Sequence, residues 1–515
     1  MYRVLSRDQM ATAEKLAMAA GRSRESLIQI ASTACAAQIL KRWPYEHVII
    51  LCGPGGNGTD GLVIAKQLQS EERDVHVIFY DPSGDGQALT PALELSGWEG
   101  EVNVFDDGFD GDFSQIFNDF EQDFIFVDAL FGIGLNRALE GKVKALVEAV
   151  IAAEAPVLSV DVPSGLNGDH SDLPGTFIRA DVTVTFEALK PVHLLEPAAS
   201  TCGELVVVPL KLGEDIIQST GPQARVNDPD GWSAALPWPT RSDHKHKRGR
   251  LGVISGPAGS TGAARMAALA GLRMGAGVVT MYAAPDALRE LSYNNLEIMN
   301  QVYARQSELS DKLAKTDVVI VGPASGLTVE TRQHVLSCLR ASRKMVIDAD
   351  ALSVFSEDPR TLMEGLHAEC VLTPHVGEFE RIFPELLSSS VNRMEAVRKA
   401  QARAGCTILL KGADTIISAG QERQTVDVHG SPWLATAGSG DVLAGMIGGL
   451  MTQGMPAYEA ACAAVWMHGE ASLQLGPGLI AGDLISQIPA VLKSLYQQSE
   501  PGRTDRRSKV ITTFS

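Results

Sequence analysis

Short apolar runs, rich in β-branched residues, alternate with segments of helical periodicity along most of this chain. In the first half, the runs predict strands at 48–52, 75–80, 124–128, 157–161, 182–186 and 205–209. Candidate helices lie at 10–20, 27–42, 61–70 and 142–153. Continuous apolar strands that alternate with helices are typical of a mostly parallel sheet covered on both faces. The first half is therefore predicted to be a doubly wound α/β domain.

A second series of the same kind follows a polar stretch. Residues 213–249 are rich in Pro, Asp, Ser and Gln, which predicts a linker. Beyond it, strands are predicted at 251–255, 278–282, 318–322, 345–348, 371–373 and 408–410, and an apolar, glycine-rich helix follows Asp441. We predict domains at 1–215 and 225–500, and a flexible tail at 501–515.

Composition and charge exclude several classes of protein. Hydrophobic residues make up 45% of the 515 residues, which is enough to bury a large core. The net charge of −18 argues against a nucleic-acid partner, although a nucleotide needs only local amides and cations. No apolar run reaches the roughly 18 residues of a membrane span, and the N-terminus lacks an apolar signal segment. The seven cysteines form no CxxC pair, so we expect reduced thiols and a cytoplasmic protein.

The first predicted strand runs into a glycine loop that opens a helix. It contains GxGxxG at Gly53, Gly55 and Gly58, and Asp81 ends the next strand, where a ribose-binding acid lies in dinucleotide folds. An oxidoreductase is therefore one interpretation, but GxGxxG alone is weak evidence.

Other residues of this loop favour a different ligand. Pro54 removes an amide donor, and the carboxylate of Asp60 would repel a pyrophosphate at the helix N-terminus. Asn57, Thr59 and Asp60 are instead typical oxygen donors for a cation and for ligand hydroxyls. The alternative is a tight strand–helix turn in which Asp60 caps the helix.

Two further strand ends carry an acid followed by a glycine turn. Asp128 closes one strand, and Asp161 closes the next with Ser164 close behind it. Because ligands bind beyond the carboxyl ends of strands in doubly wound sheets, we expect these residues to converge with Asn57 and Asp60 on one crevice. Each acid alone could merely cap a helix.

In the second half, Gly438-Ser439-Gly440-Asp441 opens the apolar helix. Consecutive amides at a helix N-terminus form a site for a migrating phosphoryl group, and Asp441 is placed to accept a proton from an attacking hydroxyl. A capped helix after a glycine turn is the alternative.

Further polar groups follow other predicted strands of this half. Asp348 and Asp350 end one strand, His375 follows the next, and Lys411 begins a turn suited to a nucleotide. Each has an ordinary alternative, since acids cap helices, lone histidines are often structural and lysines are common on surfaces.

The segments at 53–61, 128–135 and 161–166 resemble the NAD(P)H-hydrate epimerase domain over about residues 1–212. The chain departs from the family pattern at Gly56 and Thr59, which leaves the strength of the epimerase open. The resemblance implies Asp161 as catalytic acid/base and a potassium ion held by Asn57, Asp128 and Ser164. It implies that the substrate contacts Asn57, Gly58, Thr59, Asp60, Gly132, Ile133, Gly134, Leu135, Asn136, Arg137, Ala138 and Asp161.

The segments at 346–352, 372–378, 411–415 and 438–447 resemble the ADP-dependent NAD(P)H-hydrate dehydratase, a domain of ribokinase-like fold, from about Arg225 to Leu495. The resemblance implies Asp441 as catalytic base, ADP as co-substrate and Mg²⁺ for its phosphates. Nucleotide contacts are implied for Lys411, Gly412, Ala413, Asp414, Thr415 and Gly440. Substrate contacts are implied for Ala263, Gly326, His375 and Asp441. Where the family has a glycine, this chain has Ala324.

Together the resemblances imply an α/β enzyme with an N-terminal Rossmann-like, doubly wound domain and a C-terminal ribokinase-like domain. It would epimerise the R and S hydrates of NAD(P)H and dehydrate the S form with ADP. We also expect a homo-oligomer whose partners are these small molecules. A small-molecule kinase with a non-catalytic, nucleotide-binding N-terminal domain is the alternative.

Overall fold

The structure is a computed structural model that describes residues 2–43, 47–118, 123–221, 224–293, 296–420 and 423–499. The chain divides into two compact units, Tyr2–Arg225 and Val226–Ser515. The predicted tail at 501–515 lies outside the described residues.

The N-terminal unit is a seven-stranded sheet with helices on both faces. Its strands are β2 (His47–Cys52), β3 (Asp74–Tyr80), β4 (Val102–Phe105), β5 (Phe124–Ala129), β6 (Val157–Val160), β7 (Val182–Phe186) and β8 (Glu204–Val208), and a short β1 (Arg3–Val4) pairs antiparallel with β9 (Ala224–Val226). Its helices are α1 (Arg7–Ala19), α2 (Arg24–Arg42), α3 (Gly56–Ser70), α4 (Leu89–Ser96), α5 (Phe113–Asn118), α6 (Gly141–Ala152) and α7 (Glu214–Ser219).

The sheet has the order β4-β3-β2-β5-β6-β7-β8, and all of these pairs are parallel. Alternate residues of β2 belong to different cores: Val48 and Ile50 pack on one face, while Ile49 and Leu51 pack on the other. The strand order reverses between β2 and β5. The loops that follow these two strands therefore flank a crevice suited to a ligand.

The C-terminal unit is also built around a mostly parallel sheet. Its strands are β10 (Arg250–Ile254), β11 (Val278–Ala283), β12 (Met299–Val302), β13 (Val318–Val321), β14 (Lys344–Ile347), β15 (Cys370–Leu372), β16 (Thr407–Leu410), β17 (Thr415–Ala419) and β18 (Arg423–Asp427). Its helices are α8 (Gly262–Arg273), α9 (Leu288–Leu291), α10 (Gln306–Leu313), α11 (Val329–Arg340), α12 (Asp350–Ser353), α13 (Pro359–Met363), α14 (Val376–Ile382), α15 (Arg393–Ala404), α16 (Ser439–Thr452), α17 (Ala457–Leu475) and α18 (Ala481–Ser499).

Within this unit the strand order is β18-β17-β16-β15-β14-β13-β10-β11-β12, and only the β16–β17 and β17–β18 pairs are antiparallel. Helices α8 and α16 pack closely against each other. A side chain at Gly445 would collide with the backbone of Ala267, and one at Gly449 would lie 2.6 Å from the carbonyl oxygen of Gly271. The predicted glycine-rich helix is thus a close-packed core helix whose N-terminus faces the carboxyl ends of the strands.

The polar stretch at 213–249 contains the boundary between the two units, after Arg225, yet part of it is packed. Asn227 and Trp232 are buried, and Asn227 Nδ2 donates to Asp427 Oδ1 at 2.6 Å. Trp232 Nε1 donates in turn to Asn227 Oδ1 at 3.1 Å. Asn227 and Trp232, which lie in the predicted linker, are therefore packed residues joined by a hydrogen bond.

The seven cysteines, all within the described ranges, are buried and unpaired. Among the described helices, none combines the length and the apolar character that a membrane crossing needs.

Candidate active sites

Two glycines of the loop after β2, Gly53 and Gly58, are required by close backbone contacts. A side chain at Gly53 would collide with the backbone of Leu130, and one at Gly58 with the backbone of Gly53. Helix α3 begins at Gly56 with Gly55 as its N-cap residue, and Gly55 makes no side-chain cap bond. The alternative that Asp60 caps this helix was therefore wrong, because Asp60 lies one turn inside it.

The acid at the end of β5 is held by neutral hydrogen-bond donors. Asp128 is fully buried and accepts bonds from the amide and hydroxyl of Ser164, at 2.8 and 2.5 Å, and from Ser159 Oγ at 2.8 Å. Burial raises the pKa of Asp128, and these hydrogen bonds oppose the rise. The predicted pair Asp128 and Ser164 is thus in direct contact.

Asn57 projects from α3 towards the end of β6. Its Nδ2 donates to the carbonyl oxygen of Val160 at 2.7 Å, and a side chain at Gly132 would lie 2.5 Å from its Oδ1. Asn57 therefore connects the glycine loop to the ends of both β5 and β6, where the sequence analysis expected a cation.

Asp161 follows β6 in a left-handed conformation, with φ of 67°. Its Oδ1 accepts bonds from Lys190 Nζ at 2.6 Å and from Thr185 Oγ1 at 2.9 Å. Its carbonyl oxygen contacts His193 Nε2 at 2.9 Å. Burial alone would raise the pKa of Asp161, but the charge and hydrogen bond of Lys190 outweigh burial and lower it. Asp161 is therefore held as a carboxylate.

The neighbouring acids, Asp60 and Glu14, have raised pKa values. Burial, the charge of Asp161 and the charge of Glu14 raise the pKa of Asp60 well above its usual range. Burial and the charge of Asp161 also raise the pKa of Glu14. Two carboxyl groups with pKa values pushed apart are the usual arrangement for one acid and one base.

The remaining predicted contacts of this unit lie on two segments around the crevice. Gly58 and Thr59 are buried in the first turn of α3. The segment 132–138 is a loop after β5 in which Gly134, Asn136 and Arg137 are exposed. Its apolar members, Ile133 and Leu135, pack on the cores beneath the loop, and Ala138 is partly buried.

Asp81 is not free to bind a ribose. Its Oδ1 accepts from Ser83 Oγ at 2.8 Å and its Oδ2 from the amide of Gly86 at 2.8 Å, while the residue is 1% exposed. These bonds fold its own loop, which removes the main support for the oxidoreductase interpretation.

In the C-terminal unit, helix α16 begins without a side-chain cap, and the amide of Ser439 donates to the carbonyl oxygen of Thr436 at 3.3 Å. Its N-cap residue, Gly438, is left-handed with φ of 90° and makes no side-chain cap bond. Ser439 Oγ donates to the carbonyl oxygen of Leu434 at 2.8 Å, and the buried side chain of His468 lies near the backbone of Ser439. These contacts hold the loop, and the amides of Gly440 and Asp441 point out of the helix start, as an anion site requires.

Lys411 lies beside this helix start. Its Nζ donates to Asp348 Oδ1 at 2.7 Å and lies 4.0 Å from Glu378 Oε2. A side chain at Gly440 would lie 3.5 Å from the same Nζ. Burial would lower the pKa of Lys411, but the charges of Asp348, Glu378 and Asp441 raise it, so the ammonium group stays charged.

Asp441 lies in the first turn of α16 and is partly buried. Burial and the charge of Asp348 raise its pKa to about 6, Lys411 opposes the rise and Asp350 adds to it. A carboxylate with a pKa near neutrality, beside free amides and a lysine, is suited to accept a proton from a hydroxyl group.

His375 has a capping role in the structure. It is the N-cap residue of α14, where its Nδ1 accepts from the amides of Gly377 and Glu378 at 3.0 and 3.3 Å. Its Nε2 lies 3.3 Å from Glu378 Oε1, and its side chain is 54% exposed. The exposed ring edge remains available to a ligand, and the backbone of His375 pairs with that of Lys411.

The turn at 411–415 divides into buried and exposed residues. Asp414 is 2% exposed and forms a 2.5 Å ion pair with Arg393, and Thr415 Oγ1 donates to the carbonyl oxygen of Gly412 at 3.0 Å. Gly412 and Ala413 are exposed. Asp414 and Thr415 therefore shape the turn, and the exposed backbone beside Lys411 faces solvent.

The other predicted substrate contacts lie at the switch between β10 and β13. Ala263 is in the first turn of α8, and the amide of Gly326 donates to Asp350 Oδ2 at 2.8 Å. Ala324 adopts a left-handed φ of 49°. Alanine replaces the glycine of the family pattern at this position, although the backbone adopts a conformation that favours glycine.

Several site residues were missed by the sequence analysis. Lys190 donates to Asp161, and the charge of Glu14 raises the pKa of Asp60. His468 is buried near Ser439. All three residues lie far in the sequence from the groups that they approach. Lys190 follows β7 within an apolar stretch. An isolated lysine among apolar residues was therefore the signal that the sequence offered.

Both units match models of known protein families. Residues 24–192 match the family model described as YjeF-related protein N-terminus, and residues 251–488 match that of NAD(P)H-hydrate dehydratase. A relative from Coxiella burnetii, named bifunctional NAD(P)H-hydrate repair enzyme Nnr, is 32% identical over 92% of this chain and 96% of its own length. The Escherichia coli protein of the same name is 31% identical over 87% of this chain and 85% of its own.

A solved structure also resembles the C-terminal unit. The ADP/ATP-dependent NAD(P)H-hydrate dehydratase from Bacillus subtilis, co-crystallised with ATP and Mg²⁺, is 26% identical with a TM-score of 0.46. The similarity covers 53% of this chain and 99% of that chain.

Proposed function

Because this chain belongs to the family of bifunctional NAD(P)H-hydrate repair enzymes, we propose a division of its chemistry between the two sites. The chain is a bifunctional enzyme that interconverts the R and S hydrates of NADH and NADPH and dehydrates the S form. The N-terminal α/β domain carries the epimerase and the ribokinase-like C-terminal domain carries the nucleotide-dependent dehydratase. For the boundaries of these functional domains we propose 1–215 and 225–500.

Asp441 is the proposed base of the dehydratase. The observation that carries this role is its position in the uncapped first turn of α16, beside Lys411. Asp441 takes the proton of the ring hydroxyl, whose oxygen attacks the terminal phosphorus of ADP. The bond from that phosphorus to AMP breaks. The first-turn amides and the charge of Lys411 stabilise the transferred phosphoryl group.

Elimination then completes the repair. The ring nitrogen's electron pair expels phosphate, a better leaving group than hydroxide, and loss of a proton from the adjacent ring carbon restores the double bond. The products are NAD(P)H, AMP and phosphate. Gly440 and the turn at 411–415 are the proposed nucleotide contacts, and Ala263, Gly326 and His375 are the proposed substrate contacts. The preference for ADP over ATP is part of the proposal.

Magnesium fits the charge at this site. Asp348 and Asp350 both raise the pKa of Asp441, so negative charge is in excess around it. Together with the nucleotide phosphates, these carboxylates would hold the ion, which supplies neutralisation of phosphate charge.

In the epimerase, Asp60 is the proposed acid and Asp161 the proposed base. Asp60, whose pKa is raised, protonates the departing hydroxyl, and the ring nitrogen's electron pair replaces the broken C–O bond. Water adds to the opposite face and gives its proton to Asp161. The fixed charge of Asp161 also stabilises the cationic ring, and proton exchange with solvent resets both carboxyl groups.

A potassium ion fits beside Asp128. This fully buried carboxylate has only neutral donors among its hydrogen bonds, and burial raises its pKa. Asn57, Asp128 and Ser164 would hold the ion, which supplies charge compensation at the crevice.

A homo-oligomeric, cytoplasmic enzyme is also proposed. The seven buried, unpaired cysteines support a reducing compartment.

The two sites can be tested separately with pure hydrates. The full chain and Asp161→Asn are incubated with ADP and either S or R hydrate of NADH, and recovery of the reduced-nicotinamide absorbance is followed. We expect Asp161→Asn to leave S rescue intact and to reduce R rescue to the spontaneous rate of epimerisation. Equal R rescue by both proteins would contradict the role of Asp161. A small-molecule kinase would form a stable phosphoester without recovery of absorbance.

A further inference from the structure

Three chemically distinctive side chains lie at the end of the N-terminal sheet opposite the crevice. His47 begins β2 and Asp74 begins β3, and the parallel register pairs them directly. Because side chains alternate along a strand, His76 lies on the same face as Asp74. The three side chains continue the row that contains Ile49 and Ile78, at the edge where the core of that face ends.

The ligand atoms of these side chains converge. His47 Nδ1 lies 2.9 Å from Asp74 Oδ2, His76 Nε2 lies 3.1 Å from the same oxygen, and all three atoms lie within 4.8 Å of one another. The imidazole centroids are 6.3 Å apart and the rings are inclined by 35°. Ligand atoms bound at about 2.0–2.2 Å to one zinc ion lie roughly 3–4 Å apart, so these atoms can share an ion with small adjustments.

From this geometry we infer that His47, Asp74 and His76 form a binding site for a divalent transition-metal ion, and that the bound ion is zinc. Two imidazoles and one carboxylate are a ligand set that suits zinc. The side chains are 20%, 53% and 37% exposed, so water has access to the fourth coordination position. The same exposure gives the ion a path from solvent.

The inferred site is separate from the catalytic chemistry. It lies at the amino ends of β2 and β3, whereas the proposed epimerase groups follow the carboxyl ends of β2 and β6. A bound ion would join the starts of two neighbouring strands. We therefore assign it to stabilising the sheet, with no part in either reaction.

Zinc binding by the full chain tests the inference. Chelator-treated protein is titrated with ZnCl₂ in a calorimeter, and the melting temperature is measured with and without zinc. We expect one zinc per chain at this site and a higher melting temperature with zinc. His76→Ala and Asp74→Asn should each weaken zinc binding about tenfold or more, since the first removes an imidazole ligand and the second removes the charge of the carboxylate. Asp74→Asn keeps the size of the side chain, which protects the fold from the substitution.

His170→Ala is the matched control, because His170 has one nearby carboxylate, Asp172, at 3.5 Å and no second histidine in that ion pair. It should bind zinc like the unaltered chain. In the absence of zinc, His76→Ala should retain both repair activities. The inference is overturned if the chain shows no saturable zinc binding, or if His76→Ala and Asp74→Asn bind zinc as tightly as His170→Ala.

Discussion

Lys190 Nζ donates a 2.6 Å hydrogen bond to Asp161 Oδ1, and the lysine side chain is only 1% exposed. Thr185 Oγ1 lies 2.8 Å from the same ammonium group. A buried cation thus keeps the proposed epimerase base ionised, although burial by itself would keep it protonated. Lys190 is therefore a positioning residue for Asp161.

Replacing the buried cation should affect both stability and pH dependence. In Lys190→Met, Asp161 loses its partner, which should cost about 3 kcal/mol of folding free energy. Burial would then raise the pKa of Asp161, so R-hydrate epimerisation should fall near neutrality and recover as the pH rises. Chemical denaturation and the pH profile of epimerisation measure the two effects.

The sign of the pH effect on stability should also reverse. With Lys190 present, the lowered pKa of Asp161 contributes stability above the ordinary carboxyl pKa, and this is lost as the pH falls through the folded value. In Lys190→Met, stability should instead decrease as the pH rises. Lys144→Met is the control, because Lys144 pairs with Glu148 at 3.6 Å on the surface. An unchanged pH profile in Lys190→Met would refute the positioning role.

The dehydratase should lose activity in mild acid. Asp441 has a pKa raised to about 6, and only its ionised form accepts the hydroxyl proton. We expect kcat/KM for the S hydrate to fall below about pH 6. Asp348→Asn removes a charge that raises the pKa of Asp441. It should therefore move the acidic limb of the pH profile of kcat/KM to lower pH.

Asp350→Asn provides the comparison for this shift. The charge of Asp350 contributes less to the raised pKa, so its removal should move the limb in the same direction by a smaller amount. A limb that stays in place in both variants would mean that another group controls the acid side of the profile.

Most strands of the fold were predictable because they are continuous apolar runs. The runs at 182–186 and 408–410, for example, correspond to β7 and β16. Strand β4 was missed because it has only four residues and Asn103 interrupts its apolar run. The antiparallel strands β17 and β18 were also missed, since their thirteen-residue span contains polar side chains that become buried.

The site residues that lie at strand ends could be predicted from the sequence. The residues that reach them from distant segments of the chain could not. Asp128 lies at the end of β5 and Ser164 follows the neighbouring β6, so their contact could be expected from topology. Lys190 reaches Asp161 only after the chain has formed another strand and turned back. The pairing of Lys411 with Asp348 likewise depends on tertiary packing, although both residues belonged to recognised segments.

The left-handed alanine near the proposed substrate contacts offers a further test. Because Ala324 has φ of 49°, Ala324→Gly should relieve strain and stabilise the chain by about 1 kcal/mol. It should also change KM for the hydrate, since the same turn carries Gly326. Thermal unfolding and steady-state kinetics measure these effects.

Ser342→Gly is the matched control, because Ser342 also has φ of 49° but follows α11, away from the proposed contacts. It should show a similar gain in stability with unchanged KM. Equal kinetic effects in both variants would argue against a substrate contact at the 324–326 turn.

The most direct test of the account is the rate of ADP-dependent rescue of S-hydrated NADH by Asp441→Asn. This variant keeps the size of the side chain and removes the base at the start of α16. We predict that kcat falls by at least about 100-fold, while the melting temperature stays close to that of the unaltered chain. Rescue at an undiminished rate by a folded Asp441→Asn protein would contradict the assignment of Asp441 as the catalytic base.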